Sequence, residues 1–298
     1  MLRAVLCMAQ LTAAAALLAP HQYGVGVPGG AERILHSMQH TLEDKSLKLA
    51  VLKVDVANAF NSCDRARMLN ELYATPQLAS LYRMADFAYS TSSMLLLERC
   101  EGDHIESSNG VRQGDPLSSL LFCLYVRSMY AKLAEKADVS LYGFIDDLHI
   151  VGRPAEVMKA FTALQTLMPE VGLQFNTKKS QFAYFHNDAA PLHRSTLELL
   201  AEHDISPQEQ WMEVMGAVVG RDEAAVREGM KAVLGPSHYS TFFSRLLSNM
   251  MPVQHAMLIL RQCAVPQLNY VMRCIAPPCI ADEAAQFDEM IILSLIHI

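Results

Sequence analysis

Ser-Leu-Tyr-Gly-Phe-Ile-Asp-Asp-Leu-His-Ile-Val-Gly, residues Ser140–Gly152, contains two short apolar runs around an acidic pair. The runs, Leu141–Ile145 and Leu148–Val151, have the length and composition of β-strands. We therefore predict a β-hairpin with Asp146 and Asp147 at its tip. Two adjacent carboxylates with no cation beside them repel each other, and a bound divalent metal would remove that repulsion. The alternative is a solvated acidic turn without a metal.

Length, charge and cysteine content restrict the class of protein. The 298 residues are 51% hydrophobic and can form one large domain or two smaller ones. The net charge of −7 argues against a protein that coats nucleic acid non-specifically. The seven cysteines are odd in number and lack the spacing of zinc ligands, which is typical of reduced thiols in an intracellular protein.

The N-terminal run Ala4–Ala19, preceded by Arg3, has the composition of a secretory signal peptide. Alanine and leucine also favour helices, and Pro20 would end one. We expect the first helix of a globular region, so the protein should be neither secreted nor membrane-bound; a secreted protein of unrelated function is the alternative. The glycine-rich loop Gln22–Gly30 can approach phosphates, but no Lys-Ser/Thr follows it as in a P-loop.

The elements after this loop follow the order strand, helices, hairpin, helix, strand. They are a strand at Leu49–Asp55, helices at 64–73, 78–89 and 117–133, a side hairpin of Met94–Glu98 with Ile105–Ser108, the acidic hairpin, a helix at Ala155–Met168, and strands at Gly172–Asn176 and Gln181–Phe185. This is the βαββαβ order of the split βαβ, or ferredoxin-like, unit. In that unit the first strand ends beside the tip of the hairpin, so Asp55 should approach Asp146 and Asp147. Three carboxylates at one sheet edge are what a two-metal phosphoryl-transfer site requires.

Four motifs support that chemistry. They are Val-Asp-Val-Ala-Asn-Ala-Phe ending at Phe60, Asn-Gly-Val-Arg-Gln-Gly-Asp-Pro-Leu-Ser ending at Ser118, Phe-Ile-Asp-Asp ending at Asp147, and Gly-Leu-Gln-Phe-Asn-Thr-Lys-Lys-Ser ending at Ser180. In this order they resemble the motifs of a reverse transcriptase of the non-LTR (LINE-like) retrotransposon type. The resemblance extends weakly to Gln22–Glu32, a finger-region element, and to Met215-Gly216, a candidate primer-gripping turn.

The resemblance implies an α+β fold. It would be a right-hand polymerase palm, with a ferredoxin-like βαββαβ sheet, truncated fingers and a helical partial thumb. We expect a fingers remnant at 1–45, the palm at 46–215 with an excursion at 65–110, and the partial thumb at 216–298. The N-terminal helix would then lack the finger residues that normally cover it, and we expect it to pack loosely. No endonuclease or RNase H segment is expected.

The resemblance also assigns roles to the acidic residues. Asp55 and Asp146 would hold two Mg²⁺ ions, with Mn²⁺ as the alternative ion, and Asp147 would take part beside them. The backbone carbonyl of Val56 would add a ligand. One ion would activate the primer 3′-hydroxyl and the other would stabilise the triphosphate. The partners would be an RNA template, a DNA primer and deoxynucleoside triphosphates; the oligomeric state does not follow from the resemblance.

Four further residues carry nucleotide-binding roles in the family. Phe60 would exclude a ribose 2′-hydroxyl, or else is a core residue at the start of a helix. Arg112 and Gln113 would contact the incoming nucleotide or the template, or else form a polar loop before a helix. Lys179 would be the cation near the triphosphate and a proton donor to the leaving group, or else is a solvated turn lysine; Lys178 is its neighbour.

The function implied is that of an RNA-directed DNA polymerase that extends a primer by two-metal nucleotidyl transfer. Such a protein would work in the nucleus or the cytoplasm. The alternative is a catalytically inactive retroelement remnant that at most binds RNA or a partner. Ile145 departs from the family, because a small residue is usual between the aromatic residue and the two aspartates.

Overall fold

A computed structural model of the chain describes residues 2–96, 104–185, 191–248 and 251–297. Helices cover α1 (Leu2–Leu18), α2 (Gly30–Glu43), α3 (Ala59–Ser62), α4 (Arg65–Tyr73), α5 (Ala79–Tyr89), α6 (Ser118–Lys136), α7 (Pro154–Glu170), α8 (Arg194–Glu202), α9 (Glu223–Leu234), α10 (Pro236–Leu246), α11 (Val253–Ile259), α12 (Gln267–Cys274) and α13 (Ala281–His297). Strands cover β1 (Ala50–Val54), β2 (Ser93–Leu96), β3 (His104–Ser107), β4 (Val139–Phe144), β5 (Asp147–Gly152), β6 (Gln181–Tyr184), β7 (Pro207–Gln208), β8 (Trp211–Val214) and β9 (Ala217–Gly220). None of the described helices is long and apolar enough to cross a membrane.

The chain divides into two compact units. The first consists of Met1–Ala31, Leu47–Phe182 and Pro191–Pro207, and the second of Glu32–Ser46, Ala183–Ala190 and Gln208–Ile298. The assignment of fingers, palm and thumb to 1–45, 46–215 and 216–298 stays a prediction.

A five-stranded sheet has the strand order β4-β5-β1-β6-β7. Its strands β1, β4 and β5 lie wholly in the first unit. β5 runs antiparallel to both β4 and β1, and Val54 lies opposite Leu148. The end of β1 therefore meets the start of β5, as the βαββαβ order predicts. β1 is an almost continuous apolar run because the sheet is covered on both faces there: every residue except Lys53 is buried.

Two long helices cover the sheet. α6 packs against α4, α7 and β4, while α7 packs against β1, β4 and β5. Leu120–Val126 in α6 are all buried, which explains why this helix has apolar residues on every side rather than on a single stripe. α7 begins at Pro154, which suits the first turn of a helix because its missing N–H has no partner there.

The N-terminal helix has partners within the first unit. α1 packs against α5 and α6, and its residues Ala14 and Leu18 are buried. The helix therefore has packing partners, and the expectation that it packs loosely stays a prediction. The helices of the excursion cover it, a long-range contact that periodicity alone does not reveal.

Two local predictions need correction. The tip of the acidic hairpin is Ile145-Asp146, because Asp147 already pairs with Phe144 as the first residue of β5. Gly172–Asn176 is not a strand: its backbone turns through a left-handed Gly172 and forms an isolated bridge from Phe175 to Val56. The side hairpin predicted at Met94–Glu98 and Ile105–Ser108 is present as β2 and β3, and residues 97–103 between them lie outside the described residues.

The second unit combines a hairpin with helices. β8 and β9 form an antiparallel pair joined by Met215 and Gly216, both with positive φ. α9 packs on β8 and β9, and α10 packs on α13. Within the segment predicted as a helical partial thumb, α11 and α12 are joined by a π-helical turn at Leu260–Ala264.

Candidate active site

A pocket of about 510 Å³ lies in the first unit, where four separate segments meet. Its lining consists of Asp55, Val56, Ala57, Asn58, Ala59, Phe60, Gln113, Gly114, Ser119, Ile145, Asp146, Asn176 and Lys179. Each of the four sequence motifs contributes to this list. Of the eight predicted site residues, six line the pocket; Arg112 and Asp147 do not.

Asp55 is held by the turn that follows α7. The Asn176 side-chain Nδ2 donates to Asp55 Oδ2 at 2.7 Å, and the Asn176 backbone N–H donates to the Asp55 carbonyl at 2.9 Å. The Asp55 N–H in turn donates to Ser180 Oγ at 3.0 Å, and that hydroxyl donates to the Asn176 carbonyl at 2.8 Å. Three atoms of Asp55 are thus tied to one short turn, while Oδ1 has no bond in this network.

Asp146 lies in the two-residue turn between β4 and β5. The turn has two residues because Phe144 pairs with Asp147, which leaves only Ile145 and Asp146 to reverse the chain. This short connection presents Asp146 to the pocket, whereas Asp147 is part of the strand.

The pKa of the Asp147 carboxyl depends on the charges around it. Burial raises the pKa of its carboxyl, the charges of Asp146 and Asp55 raise it further, and Lys53 acts in the opposite direction. The Asp147 carboxyl therefore lies within range of the charges of Asp146 and Asp55. A divalent cation bound among them would lower the same repulsion.

Phe60 lines the pocket and also contacts a core ring, and its role towards the sugar stays a prediction. Its ring lines the pocket, and its centroid lies 5.2 Å from that of Phe122, with the planes at 41°. Phe122 is buried in α6 and forms a rigid support behind Phe60. Phe60 is half-buried, which is compatible with both a core contact and a place in the pocket wall.

The loop before α6, which includes Arg112 and Asp115, is hydrogen-bonded to Tyr89. The Arg112 guanidinium lies over the Tyr89 ring at 5.3 Å from its centroid, and the Arg112 N–H donates to the Tyr89 hydroxyl at 3.3 Å. That hydroxyl donates to Asp115 Oδ2 at 3.1 Å. Arg112 is thus stacked outside the pocket, and Gln113 is the member of the pair that faces it.

Buried Arg65 fixes the same loop from α4. Its Nε donates to the Gly110 carbonyl at 2.9 Å, and its two terminal nitrogens donate to the carbonyl and the hydroxyl of Ser107 at 2.6 and 2.9 Å. Sequence reasoning assigned no role to Arg65 or Tyr89. An arginine at the start of an amphipathic helix is ordinarily a surface residue, so the sequence carried no signal for this contact.

Lys179 also comes from the turn that holds Asp55. Its backbone N–H donates to the Asn176 carbonyl at 3.3 Å, and it lines the pocket, whereas the neighbouring Lys178 does not. The spacing of the motif did not distinguish the two lysines. In the structure only Lys179 lines the pocket.

The donor chemistry of the pocket suits a hard cation. Among the described residues, no three His, Cys, Asp or Glu side chains are grouped so that they could hold a metal ion by themselves. Mg²⁺, however, is usually bound by one or two carboxylates, with water and substrate phosphates completing six oxygens. Asp55 and Asp146 supply two carboxylates and Val56 a backbone segment at the pocket wall. These residues fit such an ion.

Comparison with known families identifies the chain. The sequence pattern of the family described as Reverse transcriptase (RNA-dependent DNA polymerase) matches residues 3–219. The chain belongs to this reverse transcriptase family. The matched region contains all four motifs, and the resemblance inferred from them is confirmed.

Two curated relatives are retrotransposon proteins. The SLACS 132 kDa protein of Trypanosoma brucei gambiense is 25% identical over 163 residues, which are 54% of this chain and 13% of that protein. The Pol polyprotein of the type-1 retrotransposable element R2 of Nasonia vitripennis is 28% identical over 144 residues, 45% of this chain and 14% of that protein. The chain thus matches about one-seventh of each relative's length, and the likeness is to non-LTR retrotransposon reverse transcriptases.

Solved structures show the same fold. Telomerase from Candida albicans, in complex with a fragment of telomeric RNA, has a TM-score of 0.51 at 11% identity and covers 98% of this chain and 50% of its own. Apo telomerase from Candida tropicalis has a TM-score of 0.52 at 12% identity and covers 96% of this chain and 50% of its own. The α+β palm fold of this reverse transcriptase is thereby confirmed.

Proposed function

We propose that this reverse transcriptase chain copies an RNA template into DNA, by adding deoxynucleotides to a DNA primer in the pocket around Asp55 and Asp146. The observation that carries the proposal is that residues from four separate motifs line one pocket, with Asp55 and Asp146 among them. Palm residues 46–215 would contain the whole site. The protein would act in the nucleus or the cytoplasm, where its template and nucleotides are found.

In the proposed reaction the primer 3′-hydroxyl loses its proton to water, and its oxygen attacks the α-phosphorus of the incoming nucleotide. A bond from that oxygen to phosphorus forms, the bond to the β-phosphate bridging oxygen breaks, and pyrophosphate leaves. Asp55 and Asp146 would hold Mg²⁺, with Asp147 contributing charge from the adjacent strand position. Bound there, two Mg²⁺ ions would supply Lewis-acid stabilisation of the attacking and leaving oxygens.

The remaining lining residues would orient the nucleotide. Phe60, backed by Phe122, would occupy the space of a ribose 2′-hydroxyl and so favour deoxynucleotides. Gln113 would contact the incoming nucleotide, and Arg112, stacked on Tyr89, would contact the template beside the pocket. Lys179 would neutralise the triphosphate and give a proton to the pyrophosphate.

An inactive remnant that at most binds RNA or a partner is the second candidate, because a net charge of −7 disfavours the nucleic-acid contacts that a polymerase needs. Primer extension on an RNA template with Mg²⁺ separates the two. We expect extension by the wild-type chain and its loss, by at least about 1,000-fold, in Asp146→Asn. The matched control is Asp138→Asn, an exposed aspartate just before β4, which should retain activity. RNA binding without extension in the wild type would support the remnant instead.

A further inference from the structure

The turn of the acidic hairpin has a backbone conformation that its sequence does not favour. Ile145 has a φ of 59°, in the left-handed region. A β-branched residue is a genuine outlier there, because its Cβ crowds the backbone. Two-residue hairpin turns normally place glycine, asparagine or aspartate at such positions. Something outside the turn must therefore stabilise it.

Gln22 makes the contacts that do so. Its Nε2 donates to the Ile145 carbonyl at 3.1 Å, and the Ile145 N–H donates to its Oε1 at 2.8 Å. The same Oε1 accepts a bond from the Gly24 N–H at 2.9 Å. One side-chain amide thus binds both backbone polar groups of the disfavoured residue.

The loop that carries Gln22 is fixed to the same hairpin. Gln22 forms a parallel bridge with Gly143 in β4, and the Tyr23 N–H donates to the Gly143 carbonyl at 2.7 Å. Gly24 is required by the close approach, because a Cβ there would lie 2.6 Å from Cγ1 of Ile145. The glycine-rich loop is therefore shaped to the turn.

Gln22 is unsuited to a direct role in binding substrate. It is only 3% exposed, and its amide oxygen already accepts two hydrogen bonds. It is also absent from the lining of the catalytic pocket. Its effect on the reaction must pass through the turn that it holds.

We propose that Gln22 is a positioning residue that holds Ile145 in the left-handed conformation and thereby sets the position of Asp146. Ile145 and Asp146 are the whole turn, so a change in the Ile145 backbone would move the Asp146 carboxylate relative to Asp55. The effect on catalysis rests on the proposed polymerase function; the effect on the turn does not.

The turn is tested by a double-mutant cycle on thermal unfolding. Gln22→Ala should lower Tm by about 4 °C in the wild-type background. In an Ile145→Gly background, where the left-handed conformation is free of strain, the same substitution should lower Tm by less than half as much. Ile145→Asn serves as the second background, since it keeps a side chain that tolerates this conformation. Equal losses in all three backgrounds would overturn the proposal.

A matched control removes a similar contact elsewhere. Gln39 Nε2 donates to the Cys274 carbonyl at 3.1 Å, and Gln39→Ala should lower Tm equally with and without Ile145→Gly. Should Gln22→Ala fail to fold, hydrogen exchange of the wild-type Ile145 amide decides instead. Protection of that amide supports the proposal, and exchange at the rate of a free amide contradicts it.

The effect of Gln22 on the metal site is measured as the affinity for Mn²⁺. The electron paramagnetic resonance signal of free Mn²⁺ reports how much of the ion is bound. Gln22→Ala should weaken binding about 10-fold, and Ile145→Asn should restore most of it. Primer extension should show the same pattern in kcat with little change in KM. If the Gln22 and Ile145 substitutions are coupled in Tm and in Mn²⁺ binding but no variant extends a primer, only the polymerase function is refuted. If the two substitutions are not coupled, only the role of Gln22 is refuted.

Discussion

Asn176 Nδ2 donates a 2.7 Å hydrogen bond to Asp55 Oδ2, joining residues that are 121 positions apart in the chain. The bond occupies one carboxylate oxygen with a neutral donor and fixes the plane of the carboxylate. Because Asn176 also starts the turn that carries Lys179, it links the position of the acidic group to that of the proposed proton donor.

Removal of this contact should weaken metal binding. We expect Asn176→Ala to raise the dissociation constant for Mn²⁺ by about 10- to 100-fold, since groups that orient a ligand have effects of this size. Titration calorimetry measures it directly. Gln174→Ala is the control, because it removes an exposed amide side chain two residues away. An unchanged constant in Asn176→Ala would show that Asp55 needs no support from this turn.

Phe60→Val should change sugar selectivity. With a smaller side chain in the pocket, incorporation of ribonucleotides relative to deoxynucleotides should rise by about 10-fold or more, measured as the ratio of kcat/KM values. Phe122→Leu is the control: it removes the supporting ring in α6 and should lower stability by about 1 kcal/mol with a smaller effect on that ratio. If both variants lose only stability, Phe60 is a core residue.

Lys179 and Lys178 provide a paired test within one turn. Lys179→Gln should lower the single-turnover rate of nucleotide addition by about 100-fold, because a general acid near the pyrophosphate is lost. Lys178→Gln should change the same rate by less than about twofold. Equal rates for the two variants would mean that Lys179 is an ordinary solvated lysine.

Stability should fall on acidification because of His149. This residue lies in β5 and is fully buried. Burial, with a smaller effect of Lys53, lowers its pKa to about 4. The contribution of His149 to the free energy of unfolding is therefore fully present above its unfolded pKa of about 6.5. It is lost as the pH falls towards its folded pKa of about 4.

Between pH 7 and pH 5 this single group should lower the free energy of unfolding by about 2 kcal/mol. Urea unfolding of the wild type and of His149→Leu measures it, since the variant lacks the group and should lose about 2 kcal/mol less over the same interval. Parallel losses in the two proteins would show that His149 is accessible to water.

Much of the palm could be predicted from the sequence because its signals are local. The apolar run of β1 that ends at Asp55, the two short runs of the acidic hairpin, and the helix that opens at Pro154 each follow from periodicity and turn chemistry. Their order then implied the meeting of Asp55 with the hairpin. Asp146 was predicted as part of the tip, and the register moved only Asp147 into the strand.

The supporting contacts could not be predicted in this way. Gln22 binds Ile145 across 123 positions, and nothing in the composition of a glycine-rich loop identifies its partner. Gly172–Asn176 has the residues of a strand, yet its hydrogen bonds go to the segment after β1, with Asn176 donating to Asp55. Tertiary pairing overrides local propensity at such places.

Asp55 and Asp146 should act as one catalytic unit, which single-turnover nucleotide addition by Asp55→Asn, Asp146→Asn and the double variant measures. Residues that act together are strongly non-additive. We predict that each single variant loses activity by at least about 1,000-fold and that the double variant is no slower than the worse single one. Activity retained in either single variant, or losses that multiply in the double variant, would contradict a shared site.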